Sequence, residues 1–214
     1  MALDAAGLLA VLDELLGPGS ELVQGADGDL GRVGVALDPA PELVGWARTR
    51  RLDALVLHRS WGFRPPPGLA VLACHDPFDA RLGLAANPWL HDRLGLRAPR
   101  ALAAKAAVAD APSDVRERVR VLLGGEERHA AGVGAPVRRV ALADAMTDAL
   151  VRAAAGAGAQ LYVTGSWRVP GEGAVRDTGI AVQVVGHRRQ ESWSLALLAE
   201  LLTGRRMSVI AYDG

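Results

Sequence analysis

The chain has 214 residues, 50% of them apolar and 22% charged, a balance that supports one or two compact domains and excludes disorder along its length. Its 24 basic and 24 acidic residues cancel, so it lacks the net positive charge typical of nucleic-acid and anionic-membrane binders. Cys74 is the single cysteine, which excludes an intrachain disulfide and a cysteine-built zinc site and fits a reducing, cytoplasmic compartment.

The first element is a helix over residues 4–16, with Asp4 as N-cap and Gly17-Pro18-Gly19 as its stop. Its amphipathic stripe and the absence of a positive leader read against a signal peptide. No apolar run approaches the roughly 18 residues of a membrane span. Val33, Val35 and Leu37 alternate as a strand, residues 38–51 read as a helix with proline in its first turn, and residues 54–58 form a continuously apolar strand. Strand, helix, strand is a βαβ unit. Residues 69–74 read as another strand, followed by a helix through Leu84. Residues 97–114, rich in alanine and proline, read as a linker, so that the domains are expected at 1–110 and 111–214. In the second domain, residues 115–123 alternate like a strand, residues 126–135 resemble a polar turn, and residues 180–185 and 192–202 read as a strand and a helix separated by Gly186.

An internal repeat orders these elements. Set without gaps, Val33-Gly-Val-Ala-Leu-Asp38 through His58-Arg-Ser-Trp61 matches Arg139-Val-Ala-Leu-Ala-Asp144 through Thr164-Gly-Ser-Trp167, with Asp38 on Asp144 and Trp61 on Trp167. The fold class is therefore α/β, with two similar α/β domains and a functional site expected in the cleft where their strand tips converge. Asp38 and Asp144, each before an expected helix, read as caps. The two tryptophans read as packing residues at domain or subunit contacts.

His58 closes one apolar strand, Asp79 follows another, and His187 with Glu191 stands at the third strand-to-helix junction. Spaced i, i+4 on a helical turn, His187 and Glu191 point to the same side, and an imidazole with a carboxylate suits zinc, iron, manganese or nickel. From spacing alone the same pair reads more simply as a helix-start histidine beside a solvated glutamate. Cys74 beside His75 resembles a nucleophile pair, but adjacent strand residues point to opposite faces.

The ordered strings Val-Ala-Leu-Asp38, Asp53-Ala-Leu-Val-Leu-His58-Arg, Cys74-His75-Asp-Pro-Phe-Asp79, Leu161-Tyr-Val-Thr-Gly165 and Gly186-His187-Arg-Arg-Gln-Glu191 resemble the Nif-three-like proteins, also called type-two GTP cyclohydrolases or dinuclear-metal hexameric proteins. The resemblance implies two similar α/β domains, a ring-shaped hexamer, and one or two divalent ions in the interdomain cleft. It implies His58, Asp79, His187 and Glu191 as metal ligands, with His75 beside the metals as a catalytic acid or base. Arg59 stands where the family carries a second histidine, and an arginine offers no lone pair. With that departure the resemblance implies a divergent member with a single weakened metal site, or none. Ser60, Asp76 and Ser166 also depart from the pattern.

Two functions follow as expectations. One is a metal-dependent hydrolase acting on a small nucleotide-like ligand. No Gly-x-x-x-x-Gly-Lys loop supports a nucleotide from the residues themselves. The other is a non-catalytic ring-forming scaffold, metal carrier or partner-binding protein, for which Arg59 is the motivating residue. Its nucleic-acid version would rest on arginine clusters (Arg48, Arg50, Arg51; Arg116, Arg118, Arg120; Arg138, Arg139; Arg205, Arg206), which more simply form exposed faces. No nucleic-acid or membrane partner is expected.

Overall fold

The computed structural model describes residues 3–132, 136–205 and 207–213. The chain divides into two compact units, Met1–Arg81 with Ser192–Gly214, and Leu82–Glu191. The boundary expected near residue 110 is thus displaced, and the C-terminal segment belongs to the first unit. Hydrogen bonding supplies the reason in both places. The stretch read as a linker pairs into the second unit's sheet, and the last strand pairs into the first unit's.

In the first unit, α1 (Ala5–Leu16) starts at Asp4, whose side chain accepts from Gly7 N at 2.8 Å, and stops at Gly17 with φ of 95°, as its sequence dictates. Leu8, Leu12 and Leu16 are its buried stripe. Strand β1 (Glu21–Gln24) lies antiparallel at the sheet edge. Then β2 (Arg32–Ala36), α2 (Leu43–Arg50) and β3 (Ala54–Leu57) form the βαβ unit read from the sequence. β4 (Ala70–Ala73) runs parallel beside β3 and leads into α3 (His75–Leu82). β2, β3 and β4 are almost wholly buried, as parallel strands covered on both faces must be. Leu43, Leu55, Leu57 and Val71 pack into one apolar cluster of this unit.

In the second unit, α4 (Pro88–Arg93) is capped by Asn87, whose side chain accepts from Leu90 N. The segment read as a linker is instead β5 (Arg97–Ala103) and β6 (Ala106–Asp110), an antiparallel pair at the edge of the sheet. Its alanines concealed it, because alanine carries little strand propensity. Residues 115–123 are also corrected: they form α5 (Val115–Leu122), not a strand. Val115, Val119 and Leu123 are buried at a spacing of four while Val121 is exposed, so the apparent alternation belonged to a helix. The polar turn expected at 126–135 contains a short edge strand, β7 (Arg128–Ala130), antiparallel to the strand preceding the last helix; residues 133–135 lie outside the described residues. The second βαβ unit is β8 (Arg139–Ala143), α6 (Asp148–Gly156) and β9 (Leu161–Thr164). After α7 (Glu172–Thr178), β10 (Ala181–Val184) extends the parallel set. The long helix α8 (His187–Thr203) contributes its first five residues, His187–Glu191, to this unit. β11 (Ser208–Ala211) then pairs with β2 in the first.

The sheets run β1-β4-β3-β2-β11 and β5-β6-β8-β9-β10-β7, the first with four adjacent parallel strands (β4, β3, β2 and β11) and the second with three (β8, β9 and β10). The internal repeat is real, but its register differs by one residue from the ungapped sequence match. Asp53 accepts from Gly31 N and Arg32 N, both at 2.8 Å, and Gln160 accepts from Arg138 N and Arg139 N at 3.0 and 2.9 Å. The backbone agrees: Asp53 N donates to Arg32 O and Gln160 N to Arg139 O. Asp53 therefore corresponds to Gln160, and His58 to Gly165 rather than Thr164.

Candidate metal centre

His58 is the first residue beyond β3 and is fully buried, its ring stacked on Phe78 with centroids 4.4 Å apart. His75 is the first residue of α3 and Asp79 lies one helical turn later, so both face the same side. Asp79 serves both rings: Oδ1 lies 3.0 Å from His58 Nε2, and Oδ2 lies 3.5 Å from His75 Nε2. The imidazoles stand 5.0 Å apart between centroids. Among the described residues, His58, His75 and Asp79 are the group that could hold a metal ion, each offering a donor atom within 4.8 Å of the others. Donors of a tetrahedral site with bonds near 2.1 Å are roughly 3.4 Å apart, inside the 4.8 Å spread of this group. Two nitrogens and one oxygen suit a borderline transition metal and leave a position open for a substrate.

The sequence names all three residues but gives His75 the role of acid or base. The structure brings it into the donor group. The signal was present in its spacing, since His75-x-x-x-Asp79 has the same i, i+4 form as His187-x-x-x-Glu191.

Arg59 lies beside this group but its guanidinium turns to Asp38, Nη1 to Oδ1 at 3.1 Å. Asp38 is therefore an ion-pair partner and not a cap, and α2 has no side-chain cap bond at Glu42. Cys74 is buried, with Sγ 3.5 Å from Leu57 O. Burial first, and the Asp79 charge second, push its thiol up to about 12, so it is not a thiolate near neutrality. Trp61 is 70% exposed, with its edge towards His75 at 5.3 Å and the Arg59 guanidinium 5.9 Å from its ring centroid.

In the second unit His187 opens α8, and its Nε2 lies 3.1 Å from Glu191 Oε1. The glutamate is buried and the histidine largely exposed. Asp144, the counterpart of Asp38 in the ungapped match, accepts from Leu84 N and Ala85 N, while Thr147 caps α6 by accepting from Leu150 N. Trp167 packs inside this unit, donating to Glu172 beneath the Arg128 guanidinium, which lies 3.7 Å from the ring centroid.

Four of the ten arginines in those runs form local ion pairs: Arg118 with Asp114, Arg120 with Glu117, Arg139 with Asp110 and Arg205 with Glu14. Arg206 lies outside the described residues. No helix among the described residues is long and apolar enough to cross a membrane.

Twin α/β units with a two-histidine, one-carboxylate group at strand ends define a class of duplicated α/β proteins with a candidate metal centre. The family model of Duf34/NIF3 (NGG1p interacting factor 3) matches residues 22–213, and the chain belongs to that family. It is similar in structure to protein ybgI, described as of unknown function, with a TM-score of 0.79 and 18% identity over 99% of this chain and 98% of that one. It is also similar to reduced HcgD from Methanocaldococcus jannaschii, with a TM-score of 0.78 and 16% identity over 100% and 99% of the two chains. A Bacillus cereus protein related to NIF3 gives a TM-score of 0.73 and 13% identity over 100% and 98%. No curated protein sequence matches the chain.

Proposed function

We propose that this protein binds a divalent transition metal through His58, His75 and Asp79, that His187 and Glu191 also ligate metal, and that the loaded protein hydrolyses a small nucleotide-like substrate. The observation that carries this reading is the convergence of three donors from two strand ends, one of them a fully buried histidine whose ring faces a shared carboxylate. Burying an imidazole beside a carboxylate is costly unless the pair has a purpose or a compensating partner. A metal held there would supply Lewis acidity towards a phosphoryl or ring carbon. The protein's own part is to fix the donors: Asp79 orients both imidazoles, and Phe78 holds the His58 ring in place. In this reading His75 completes the ligand set instead of moving protons. Assembly as a hexameric ring in the cytoplasm, which the family resemblance implies, is part of the proposal and is checked by light scattering of the purified protein.

Elemental analysis of protein purified without chelator tests the metal. The wild type is expected to carry transition metal, His58→Ala and Asp79→Asn to lose it, and His187→Ala with Glu191→Ala to lose whatever that pair holds. Metal-free protein at ordinary metal concentrations would overturn the reading. Loss of GTP from solution with loaded wild type, and not with His58→Ala, tests the hydrolase.

A second reading, a non-catalytic scaffold with a degenerate site, is favoured by two specific positions. Arg59 stands where the family places a ligand, and Gly165 corresponds to His58 in the second unit. Metal binding without turnover of any nucleotide would select it.

A further inference from the structure

The second unit contains a hollow of about 330 Å³ lined by Thr147, Thr164, Ser166, Arg168 and His187, with Met146 and Pro170 on its apolar side. Its polar lining combines an arginine and three hydroxyl residues with the Asp144 carboxylate and His187. Arg168 is exposed, and its guanidinium has no ion-pair partner among the described residues. Its backbone is held against the buried Met146, with N donating to Sδ at 3.4 Å. Ser166 offers a hydroxyl, and Thr147 accepts from Leu150 N through Oγ1 and so keeps its own proton to donate. An arginine and two hydroxyl donors lining one space supply donors that match an acceptor-only dianion.

The neighbouring acidic groups each have partners of their own. Asp144 also lines the hollow, but its carboxylate accepts from two backbone amides. Asp148 is paired with Arg152 at 2.9 Å, Glu172 accepts from Trp167, and Glu191 lies against His187. Arg168 is the charged group of the hollow with no ion-pair partner among the described residues.

The geometry points to this hollow as the site that takes a phosphomonoester, the phosphoryl group held by Arg168, Ser166 and Thr147 and the organic part resting on Met146 and Pro170. It deepens the proposed function through His187, which lines the same space, because it names the substrate class as an organic phosphate. The phosphoryl hold itself requires no metal.

Titration calorimetry with phenyl phosphate, inorganic phosphate and phenol, on chelator-stripped and on metal-loaded protein, tests it. Stripped wild type is expected to bind phenyl phosphate more tightly than either fragment. Arg168→Gln should weaken that binding about tenfold, the cost of one charge-assisted hydrogen-bond partner, and Arg168→Lys should restore part of it. Arg168 is exposed, so both variants keep the fold, checked by an unchanged melting temperature. Equal affinity of Arg168→Gln and wild type, no binding of phenyl phosphate, inorganic phosphate as tight as the ester, or binding that needs metal and ignores Arg168 would each overturn the inference. Protein that holds no metal when purified without chelator, yet binds phenyl phosphate through Arg168, would sink the metal reading and leave this one standing.

Discussion

His75 and His187 occupy matching places in the two units: each is the first residue of the helix that follows the third of three adjacent parallel strands, and each has a carboxylate four residues on. The second unit reaches this point with one additional residue, Gly186, whose φ of 95° suits glycine. The units part company at the third donor. His58 faces its histidine in the first, whereas Gly165 does so in the second, where a Cβ would lie 3.3 Å from His187 Cα and 3.5 Å from its Nδ1.

That close approach makes Gly165 sensitive. Gly165→Ala is expected to displace the start of α8 and cost about 1 kcal/mol of stability, at the low end of overpacking. Chemical denaturation measures it, and metal retained by His58, His75 and Asp79 should be unaffected. An unchanged denaturation midpoint would show that His187 yields without cost.

Arg59 turns away to Asp38, yet it lines the same recess as His58 and His75. Replacing it by histidine removes a fixed positive charge and adds a lone-pair donor. Arg59→His is therefore expected to raise the metal bound per chain, read by elemental analysis. Unaltered metal content would remove position 59 from any account of the site.

His91 is buried, and its Nε2 lies 3.1 Å from Leu84 O; since a carbonyl only accepts, that nitrogen carries the proton. Burial holds its pKa below the ordinary 6.5, partly offset by this hydrogen bond. Below the unfolded value the unfolded chain takes up a proton that the native state resists, so stability contributed here is complete above about pH 6.5 and falls as pH drops towards the lower native pKa. The difference in unfolding free energy between wild type and His91→Gln, followed from pH 7 downwards, should shift in favour of the variant on acidification. A pH-independent difference would contradict this.

In the first unit's core, a Cβ on Gly34 would come within 2.5 Å of Leu52 and 2.7 Å of Leu55 and Trp46. Gly34→Ala is expected to destabilise by about 1–3 kcal/mol, seen as a lower denaturation midpoint with metal content per folded chain maintained.

The parallel strands and α1 were legible because continuous apolar runs and a capped 3.6-residue stripe each admit one structure. Val115, Val119, Val121 and Leu123 admit two, and only burial decides between them. The repeat was legible as a repeat, but Trp61 and Trp167 lie in loops, where no hydrogen-bond ladder holds residues in step, so matching them put the strands one residue out of register. Of the donor group, His58 and Asp79 came from ordered motifs. The place of His75 depended on which way the first turn of α3 faces, which neighbouring strand ends determine.

Strand β5 has side chains exposed along nearly its whole length and forms the outer margin of its sheet. Pro99 there lacks an amide hydrogen, Ala98 adopts a φ of 47°, and Arg97 and Arg100 carry charge. Such a margin is a poor template for a further strand. The alanine- and proline-rich composition that disguised this segment thus protects the chain from polymerising through its own open ladder.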